Sequence, residues 1–383
     1  MKLFVSAGEP SGDLHGANLI RAVRSSDPHT HIVGFGGPKM AAAGAELLYP
    51  LTELAVMGIR AVLQHLPAFF RLADDAERCF RARRPDAVVL IDYPGFHFHL
   101  AKRAHNLGIP VYYFVPPQIW AWRRDRVRKV RKWCTAVLTA LPFEDNFYRS
   151  SRVPTHYVGH PYFDELALQR LDAVFMSGQK AKGGEIVAIL PGSRNQEVTN
   201  HLGMLLGAAA RIHASRPNTR FLVAAFNDRH AAMARAAVAG TGLPIDVHAG
   251  RTAEIIESAD ACAAVSGSVS LELMYRLKPT AIVYRMSRVA LWIARRLVKL
   301  NSITLVNMMA GERLFAETVT TVDESEWIAA QVLGWLNDPA ARAAVVARLR
   351  ALRDRAAVPG ACDRAAAFLI RTVAGQKQQS KAA

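Results

Sequence analysis

Short apolar runs alternate with longer amphipathic stretches through the first half of the chain. The first run covers residues 2–7, and a loop containing glycine and proline joins it to an amphipathic stretch from about Leu14 to Val23. Similar apolar runs follow, separated mostly by helical stretches, at His31–Phe35, Ala87–Ile91, Val111–Val115 and Ala136–Ala140. Because these runs are almost continuously apolar, they predict parallel strands whose sheet is buried on both faces.

The alternation restarts in the second half of the chain. A buried strand at Ile186–Leu190 leads through a Pro-Gly-Ser-Arg loop into a helix at His201–Ser215. The pattern then predicts strands at Arg220–Ala225, Ile245–His248, Ala261–Val265 and Thr280–Tyr284, and helices at Arg229–Ala239 and Ser270–Leu277. Two successive halves of this kind predict an α/β protein with two Rossmann-like, doubly wound parallel-sheet domains.

The predicted first domain covers residues 1–176 and the predicted second domain covers residues 177–344. A segment containing glycine and lysine near Ser177–Gly184 separates the two patterns. The Ala- and Arg-rich tail has helical periodicity and predicts a C-terminal helix at 345–375. In two-domain folds of this kind such a helix can cross back to the first domain.

Composition narrows the choice of partners. The 383 residues are 51% hydrophobic and 21% charged, which is typical of a globular protein, and the formal net charge is +16. A positive surplus of this size favours an anionic partner: nucleic acid, an acidic membrane or phosphorylated substrates. The four cysteines are scattered without a CxxC pair, which argues against a zinc site or disulfide framework and favours a reducing cytoplasm.

No membrane-spanning segment is predicted. The apolar start of the chain turns polar and glycine-rich too early for a signal peptide, and no apolar run approaches about 18 residues. The protein is therefore expected to be cytoplasmic and, where it meets a membrane, to lie on its surface.

Ligands in open α/β sheets bind beyond the carboxyl ends of the strands, and four loops occupy that position here. The first loop runs from Gly8 to Asp13; Gly8 and Gly12 allow close backbone approach, and Glu9 and Ser11 stand beside the start of a helix that can bind an anion. The alternative is a tight turn in which Ser11 or Asp13 only caps a helix.

The second loop places Asp92 directly after an apolar strand. A carboxylate at that position is a candidate general base, and the alternative is a cap for the next helix. The third loop carries Ser193 and Arg194, and the planar guanidinium suits a diphosphate; the alternative is a surface arginine on a turn.

The fourth loop opens a helix late in the second half of the chain. Its small residues could bind phosphate through backbone amides, and a carboxylate one turn later could bind ribose hydroxyls; these residues are Ser266, Gly267, Ser268, Val269, Ser270 and Glu272. The alternative is a helix start supported by Glu272. Loop and glutamate together favour a sugar nucleotide.

Two segments suggest a membrane surface. One is basic and begins with two tryptophans, with the candidate residues Trp120, Trp122, Arg123, Arg126, Arg128 and Lys129. The other, Met57–Phe70, is apolar and aromatic, with the candidate residues Met57, Leu63, Phe69 and Phe70. Basic residues beside interfacial aromatics favour an anionic membrane, and the alternative is a solvated helix face plus a core helix. The histidines have no metal-ligand spacing, so no metal site is predicted.

Several motifs match one family in order. They are Ser6–Asp13, Ile91–Phe96, Pro116–Arg123, Leu141–Glu144, Val158–Pro161, Leu190–Arg194, Ser266–Glu272, Tyr284–Met286 and Asn307–Glu312. Over roughly residues 1–320 the chain resembles lipid-A-disaccharide synthase. The individual loops are common, but the ordered set is specific.

The resemblance implies the GT-B arrangement, in which two Rossmann-like domains face a cleft, with no metal and no cofactor. It implies an inverting transfer of 2,3-diacylglucosamine from its UDP conjugate to 2,3-diacylglucosamine 1-phosphate. The products would be a β-1,6-linked disaccharide phosphate and UDP. It also implies a peripheral location on the cytoplasmic side of the inner membrane, and it leaves a homodimer open.

The resemblance also implies residue roles. Asp92 would take the proton from the acceptor hydroxyl, and Arg194 with the amides of Ser268–Ser270 would stabilise the departing diphosphate. Glu272 would hold the ribose. Backbone near Arg251 and Glu254 would meet the uracil, and Asn307 and Glu312 would complete the cleft.

The chain departs from the family at Gly95 and Ala61, where relatives often carry acidic residues. The departures predict that Asp92 lacks a neighbouring carboxylate, and they leave acceptor choice open. One competing interpretation is another UDP-sugar transferase or epimerase of the same fold. A second is a basic nucleic-acid-binding protein, but the chain carries no recognised motif of that class.

Overall fold

The structure, a computed structural model, describes the backbone of residues 1–55, 66–297 and 302–382. Within the helices, it leaves the side chains of residues 54, 55, 66, 67, 297 and 377–382 undescribed. The chain divides into two compact units. The first unit comprises Met1–Ala167 with Val358–Ala383, and the second comprises Leu168–Ala357.

The first unit is built on a seven-stranded sheet. Its strands are β1 (Lys2–Ala7), β2 (His31–Phe35), β3 (Glu46–Tyr49), β4 (Ala87–Ile91), β5 (Val111–Phe114), β6 (Ala136–Thr139) and β7 (Thr155–Tyr157). They lie in the order β3-β2-β1-β4-β5-β6-β7, and every recorded pair is parallel. The order reverses between β1 and β4, which is the doubly wound arrangement.

Helices of the first unit connect these strands and cover the sheet. They are Pro10–Ser26, Pro38–Ala42, Leu51–Ala55, Leu66–Arg83, Pro94–Asn106, Ile119–Trp122, Val127–Trp133, Pro142–Ser150, Pro161–Leu168 and Ala361–Ala382, with a 3₁₀ turn at Arg124–Arg126. Successive side chains of a strand point to opposite faces, so each face has its own core. Phe4 and Tyr113 belong to one core, and Leu3 and Tyr112 belong to the other.

The last helix completes the second of these cores. Leu369 and Val373 pack beneath Tyr112 and Leu3. The carboxylate of Asp164 accepts hydrogen bonds from the first backbone N–H groups at this helix, from Gly360 at 2.6 Å, Ala361 at 3.0 Å and Cys362 at 2.9 Å. A helix start leaves these groups without intrahelical partners, so one carboxylate fixes the whole terminus.

The second unit repeats the same strand order. Its strands are β8 (Ile186–Leu190), β9 (Arg220–Ala225), β10 (Ile245–Ala249), β11 (Ala261–Val265), β12 (Thr280–Arg285) and β13 (Ala316–Thr320), in the order β10-β9-β8-β11-β12-β13. Its helices are Ala173–Ala181, Asn195–Ser215, Asp228–Val238, Thr252–Ser258, Val269–Tyr275, Arg288–Leu297, Leu305–Ala310, Ser325–Asn337 and Pro339–Ala356. The recorded pairs are again parallel. The expected fold class, two doubly wound Rossmann-like sheets, is confirmed.

The sequence pattern did not predict three of the strands, β3, β7 and β13. Each lies at an edge of its sheet and is half-buried or exposed along most of its length. An edge strand has a neighbour on one side only, so it does not need the continuous apolar run that marks the inner strands.

The boundaries of the units differ from the predicted ones at two places. The Ala173–Ala181 helix belongs to the second unit, because Arg220 of β9 donates to the carbonyl oxygen of Gln179 and Asp172 caps the helix. The predicted 345–375 helix is two helices. Pro359 and Gly360, whose φ is +92°, separate the Pro339–Ala356 helix of the second unit from the Ala361–Ala382 helix of the first.

Replacing Asp164 by Ala should free the start of the last helix. Three buried or half-buried N–H groups lose a charged acceptor, so the free energy of unfolding should fall by about 1–2 kcal/mol. Hydrogen exchange over residues 361–376 should rise selectively. The matched control is Asp363→Ala, which removes an exposed carboxylate from the same helix turn. Equal exchange in both variants would contradict this account.

Candidate active site

The four candidate loops form two pairs, one in each unit. In the first unit Ala7 at the end of β1 pairs with Ile91 at the end of β4, so the Gly8–Asp13 loop lies beside Asp92. In the second unit Leu190 pairs with Ala264, so the loop after β8 lies beside the loop after β11. Both pairs stand where the strand order reverses, which is where open α/β sheets bind ligands.

The backbone of Asp92 has an uncommon conformation that buried groups hold in place. Asp92 and Tyr93 have φ of +47° and +50°, in the left-handed region that residues other than glycine seldom occupy. The carbonyl oxygen of Asp92 accepts hydrogen bonds from the hydroxyl of Tyr113 at 2.6 Å and from Nδ1 of His97 at 2.7 Å. Its N–H donates to the carbonyl oxygen of Val115 at 3.2 Å.

The hydrogen bonds also determine the protonation of His97. A carbonyl oxygen only accepts, so Nδ1 of His97 carries a proton, and Nε2 accepts from the hydroxyl of Ser6 at 2.8 Å. Both side chains are fully buried, and burial lowers the pKa of His97 to about 4. His97 is therefore neutral at pH 7, and it connects β1 to the backbone of Asp92.

A second strained residue adjoins this network. Val115 has φ of +49° although it is β-branched and precedes a proline, and its carbonyl oxygen accepts from Asp92. Such a conformation costs on the order of 1–3 kcal/mol, and it persists only where the surrounding structure determines it. Strain concentrated at the ends of β4 and β5 is typical of a functional site.

The carboxyl group of Asp92 is electrostatically unusual. Burial raises its pKa to about 6, and the negative charge of Glu9 adds to the increase. Glu9 reaches Asp92 from the loop after β1. Gly8 permits the ring of Tyr93 to pack against this loop, because a Cβ atom there would lie 2.3 Å from that ring.

The expectation that Asp92 lacks a neighbouring carboxylate is therefore wrong. It rested on Gly95 and Ala61. A Cβ atom added at Gly95 would meet no described atom within 4 Å, and Ala61 lies outside the described residues. The neighbour comes from a different loop, because the parallel pairing of β1 with β4 places Glu9 beside Asp92.

A third carboxyl group, Glu144, lies in the first turn of the helix that follows β6. One of its oxygens accepts from the indole N–H of Trp120 at 3.2 Å, and the other accepts from the N–H of Ala140 at 3.0 Å. Burial raises the pKa of Glu144 to about 8, and the charge of Asp92 contributes to the increase. Glu144 was absent from the predicted site residues, although it ends the Leu141–Glu144 motif that was matched to the family.

The loop after β1 also holds its own unit together. The buried carboxylate of Asp13 accepts from the backbone N–H groups of Gly37 at 2.9 Å, Lys39 at 3.0 Å and Met40 at 3.0 Å. Asp13 thus caps the Pro38–Ala42 helix after β2; it does not cap its own helix, which was the structural role considered for it and whose N-cap residue is Glu9. Glu9 is half-buried and Ser11 is exposed, so both are available to a ligand.

In the second unit a cavity opens beside Arg194. Its volume is about 760 Å³, and its lining includes Arg194, His201, Tyr284, Arg285, Ser287 and Thr321. The Arg194 side chain is exposed and pairs with Glu197 at 2.9 Å. Glu197 also accepts from the N–H groups of Ser193 at 3.0 Å and Arg194 at 3.2 Å, so it occupies the amides of this loop.

His201 connects the Asn195–Ser215 helix to the end of β12 beside this cavity. Its Nδ1 donates to the carbonyl oxygen of Glu197 at 2.7 Å, and its Nε2 accepts from the N–H of Arg285 at 2.7 Å. These partners require the neutral ring, and burial lowers the pKa of His201 accordingly. Tyr284, Arg285 and His201 were not among the predicted site residues.

The fourth loop is held by internal hydrogen bonds. The hydroxyl of Ser266 donates to the carbonyl oxygen of Ile303 at 3.0 Å, and that of Ser270 donates to Gly267 at 2.9 Å. Glu272 is buried and accepts from Arg276 at 3.0 Å. Neither Glu272 nor the loop lines the cavity beside Arg194. The ribose role of Glu272 and the phosphate role of Ser268 and Val269 stay predictions.

The remaining predicted residues of the second unit occupy separate places. Asn307 is buried, and its side-chain amide bonds to the backbone of Leu314 and Phe315, which orders the loop between them. Exposed Glu312 pairs with Arg348 at 2.7 Å.

Arg251 and Glu254 lie beyond β10, at the edge of the sheet. Arg251 pairs with Asp172 at 2.8 Å, and buried Glu254 accepts from the N–H of Asp172 at 3.3 Å.

The residues assigned to a membrane surface separate into two groups. Phe70 and Trp122 are exposed, the guanidinium of Arg126 lies 5.2 Å from the Trp122 ring centre, and Lys129 lies 5.7 Å from that of Phe98. Arg128 is exposed, and Arg123 is exposed and pairs with Asp125.

Trp120 and Phe69 do not belong to this exposed group. Trp120 is buried against Phe143 and donates to Glu144, and Phe69 packs on the core. Because of these contacts, Trp120 is not part of the predicted membrane-facing surface. Met57 and Leu63 lie outside the described residues. Within the ranges described, no helix is both long and apolar enough to cross a bilayer.

Comparison with known proteins relates this geometry to one family. A sequence profile described as lipid-A-disaccharide synthetase matches residues 3–362. A lipid-A-disaccharide synthase from Myxococcus xanthus is 35% identical over 372 residues, which cover 96% of this chain and 97% of the relative.

The fold is shared more widely. A UDP-GlcNAc 2-epimerase from Neisseria meningitidis bound to UDP-GlcNAc superposes with a TM-score of 0.63 at 11% identity, over 98% of this chain and 100% of the other. MurG from Acinetobacter baumannii superposes with a TM-score of 0.58 at 13% identity, over 97% and 99% of the two chains. At these identities the likeness concerns the fold alone.

Replacing Glu144 by Gln should change how stability depends on pH. The folded pKa of about 8 lies above the ordinary value of 4.5, so between these values the folded protein holds a proton that the unfolded chain has released. The free energy of unfolding of the wild type should fall as pH rises through this window. The difference in free energy of unfolding between the wild type and Glu144→Gln should therefore change by a few kcal/mol between about pH 5 and about pH 8, to the disadvantage of the wild type.

Urea unfolding at a series of pH values measures this difference. Glu53→Gln, which neutralises an exposed carboxylate of the same unit, serves as the control and should follow the wild type. Parallel pH profiles for the wild type and Glu144→Gln would show that Glu144 is not protonated in the folded protein.

Proposed function

Because the chain belongs to the lipid-A-disaccharide synthetase family, a family of glycosyltransferases, we propose that it transfers 2,3-diacylglucosamine from its UDP conjugate to the 6-hydroxyl of 2,3-diacylglucosamine 1-phosphate. The products are a β-1,6-linked disaccharide 1-phosphate and UDP. The observation that carries the assignment of the site is Asp92, a carboxyl group of raised pKa that a buried network holds at a strand end.

Asp92 acts as the general base in this proposal. The acceptor oxygen attacks the anomeric carbon of the sugar donor from the side opposite to UDP, the bond to the diphosphate breaks, and the hydroxyl proton passes to Asp92. A carboxylate with a pKa of about 6 is ionised near pH 7 and accepts a proton more readily than an ordinary aspartate. Attack from the opposite side inverts the anomeric configuration.

Ser6, His97 and Tyr113 act as positioning residues. His97 and Tyr113 both donate to the carbonyl oxygen of Asp92, and Ser6 donates to His97. All three are buried, so none of them needs to contact substrate. They hold Asp92 in its left-handed conformation before substrate arrives, which lowers the cost of orienting the base.

Arg194 stabilises the departing UDP. Its exposed guanidinium borders the 760 Å³ cavity of the second unit and pairs with Glu197, a partner that it can exchange. A diphosphate carries more charge than that carboxylate and accepts two parallel N–H bonds, so it can take Arg194 from Glu197. The amides of Ser268–Ser270 complete the anion site, and Glu272 holds the ribose. Charge stabilisation of this kind is commonly the largest catalytic term.

The substrates reach the protein from the inner membrane, to which it binds peripherally on the cytoplasmic side. The exposed pair of Phe70 and Trp122, with Arg126 and Lys129 beside them, supports this location for the first unit. Aromatic rings at a surface that also carries basic residues suit the boundary of an anionic bilayer.

The pH dependence of turnover tests the role of Asp92. Below about pH 6 the base is protonated, so kcat/KM should fall about tenfold per pH unit as pH decreases. Glu9→Gln removes the like charge and lowers the pKa of Asp92, so the acid limb should move to lower pH, by up to about one unit. Asp92→Asn should lower kcat by orders of magnitude while UDP still binds.

The assay uses both acylated substrates in detergent without added divalent metal, and mass spectrometry follows UDP and the disaccharide. Near-normal turnover of Asp92→Asn would reject Asp92 as the base. An acid limb that stays in place in Glu9→Gln would reject the coupling with Glu9. UDP binding without disaccharide formation in the wild type would move the function to another sugar or acceptor of the same fold.

Replacement of Arg194 by Gln tests the anion site. Loss of the guanidinium should lower kcat/KM by about 10²-fold and weaken inhibition by UDP, because both depend on the diphosphate. Arg194→Lys should recover only part of this loss, since an ammonium lacks the planar pair of donors. Arg350→Gln removes an exposed arginine elsewhere in the second unit and should leave both quantities unchanged. Unchanged UDP inhibition in Arg194→Gln would place the diphosphate elsewhere.

A further inference from the structure

The Arg288–Leu297 helix turns its apolar side away from the unit that carries it. Val289, Trp292 and Ile293 are spaced as one face of a helix, and their exposed fractions are 68%, 57% and 43%. Leu291 and Ala294, on the other side, are partly buried. A surface helix of a globular protein normally buries its apolar stripe in the core. This helix presents the stripe to the solvent instead.

The same helix is strongly basic. It carries Arg288, Arg295 and Arg296, and the guanidinium of Arg296 lies 4.0 Å from the centre of the Trp292 ring. Across the described part of the chain, none of these three arginines forms an ion pair with a carboxylate. From residue 273 to residue 311 the sequence contains no Asp or Glu and seven Lys or Arg, namely Arg276, Lys278, Arg285, Arg288, Arg295, Arg296 and Lys299.

We propose that this helix binds in the interfacial layer of an anionic lipid bilayer. Val289, Trp292 and Ile293 enter the boundary between headgroups and acyl chains, while Arg288, Arg295 and Arg296 meet lipid phosphates. The combination of a large apolar moment, an interfacial tryptophan and unpaired arginines is what such helices require. The second unit thereby has its own lipid contact, separate from Phe70 and Trp122 of the first unit.

The placement of this helix connects the bilayer to the cavity beside Arg194. Ser287 and Ala290, at the start of the helix, line that cavity together with Arg194 and Arg285. If the proposed function holds, a sugar nucleotide whose acyl chains stay in the bilayer can present its diphosphate to the cavity at this point. The helix would then guide a lipid-linked sugar donor as well as anchor the unit.

Charge favours a bilayer over a second copy of the chain as the partner. Two copies of this helix brought face to face would oppose six arginines with no acidic residue on either helix, and like charges across an interface cost several kcal/mol. An anionic bilayer supplies opposite charge to the arginines and an apolar layer to the exposed stripe.

Vesicle flotation of the full-length protein tests the proposal. The probes are vesicles of phosphatidylcholine alone and of phosphatidylcholine with about one third phosphatidylglycerol. The apolar variant is Trp292→Ser with Ile293→Ser, and the basic variant is Arg295→Gln with Arg296→Gln. All four side chains are exposed, so both variants should melt at the wild-type temperature.

Matched control variants remove the same chemistry elsewhere in the second unit. Phe226→Ser with Val322→Ser removes an aromatic and an aliphatic side chain that are 63% and 53% exposed. Arg350→Gln with Arg355→Gln removes two exposed arginines. Trp292→Phe, which keeps an aromatic ring, should retain most of the vesicle binding.

The apolar variant should partition into anionic vesicles about tenfold less than the wild type, whereas its control should not change. The basic variant should lose most of the increase in vesicle binding that phosphatidylglycerol gives the wild type. Unchanged flotation of the apolar variant would overturn the proposal, as would an equal loss in its control. A wild type that does not float would also overturn it. The same holds for an apolar variant that floats normally but changes oligomeric state in sedimentation, because a second copy of the chain would then cover the helix.

Turnover in detergent separates this proposal from the proposed function. The apolar variant should keep its kcat in detergent, where the bilayer is absent, and lose turnover on vesicle-bound substrates. If the wild type transfers no sugar under any condition, the proposed function fails, yet flotation still decides whether the helix binds lipid.

Discussion

Parallel pairing of β1 with β4, and of β8 with β11, is the constraint on which both units depend. Each central strand is buried on both faces, so chemistry is confined to the loops at the carboxyl edge of the sheet. The reversal of strand order leaves space between two neighbouring loops at that edge. Glu9 therefore adjoins Asp92, and the loop of Arg194 adjoins that of Ser268, although each pair is distant in sequence.

The carboxyl edge of the first sheet also carries the strained backbone and the carboxyl groups whose pKa values are raised. A left-handed aspartate is tolerated because His97 and Tyr113, themselves fully buried, donate to its carbonyl oxygen. Burial raises the pKa of Asp92 and of Glu144; the charge of Glu9 raises the pKa of Asp92 further, and the charge of Asp92 raises that of Glu144. Packing thus makes an ordinary carboxylate more basic.

Basic side chains lie beside exposed apolar side chains in both units, in two arrangements that differ in character. In the first unit Arg126 and Lys129 lie over aromatic rings, next to the exposed Trp122. In the second unit the arginines share a single helix with an outward apolar stripe. Both arrangements place cations beside apolar side chains, which suits a surface that is anionic outside and apolar inside.

The sequence by itself determined the fold class and most of the inner strands, because a strand buried on both faces must be apolar along its whole length. It also predicted Asp92 and Arg194 as site residues from their positions after strands, and the ordered motifs identified the family. Only the tertiary structure decided which groups meet. Glu9 beside Asp92 and Trp120 beside Glu144 depend on pairing between distant segments, and no local pattern encodes that pairing. The sequence also did not show that Trp292 faces the solvent, because periodicity defines the apolar face of a helix but not the direction in which that face points.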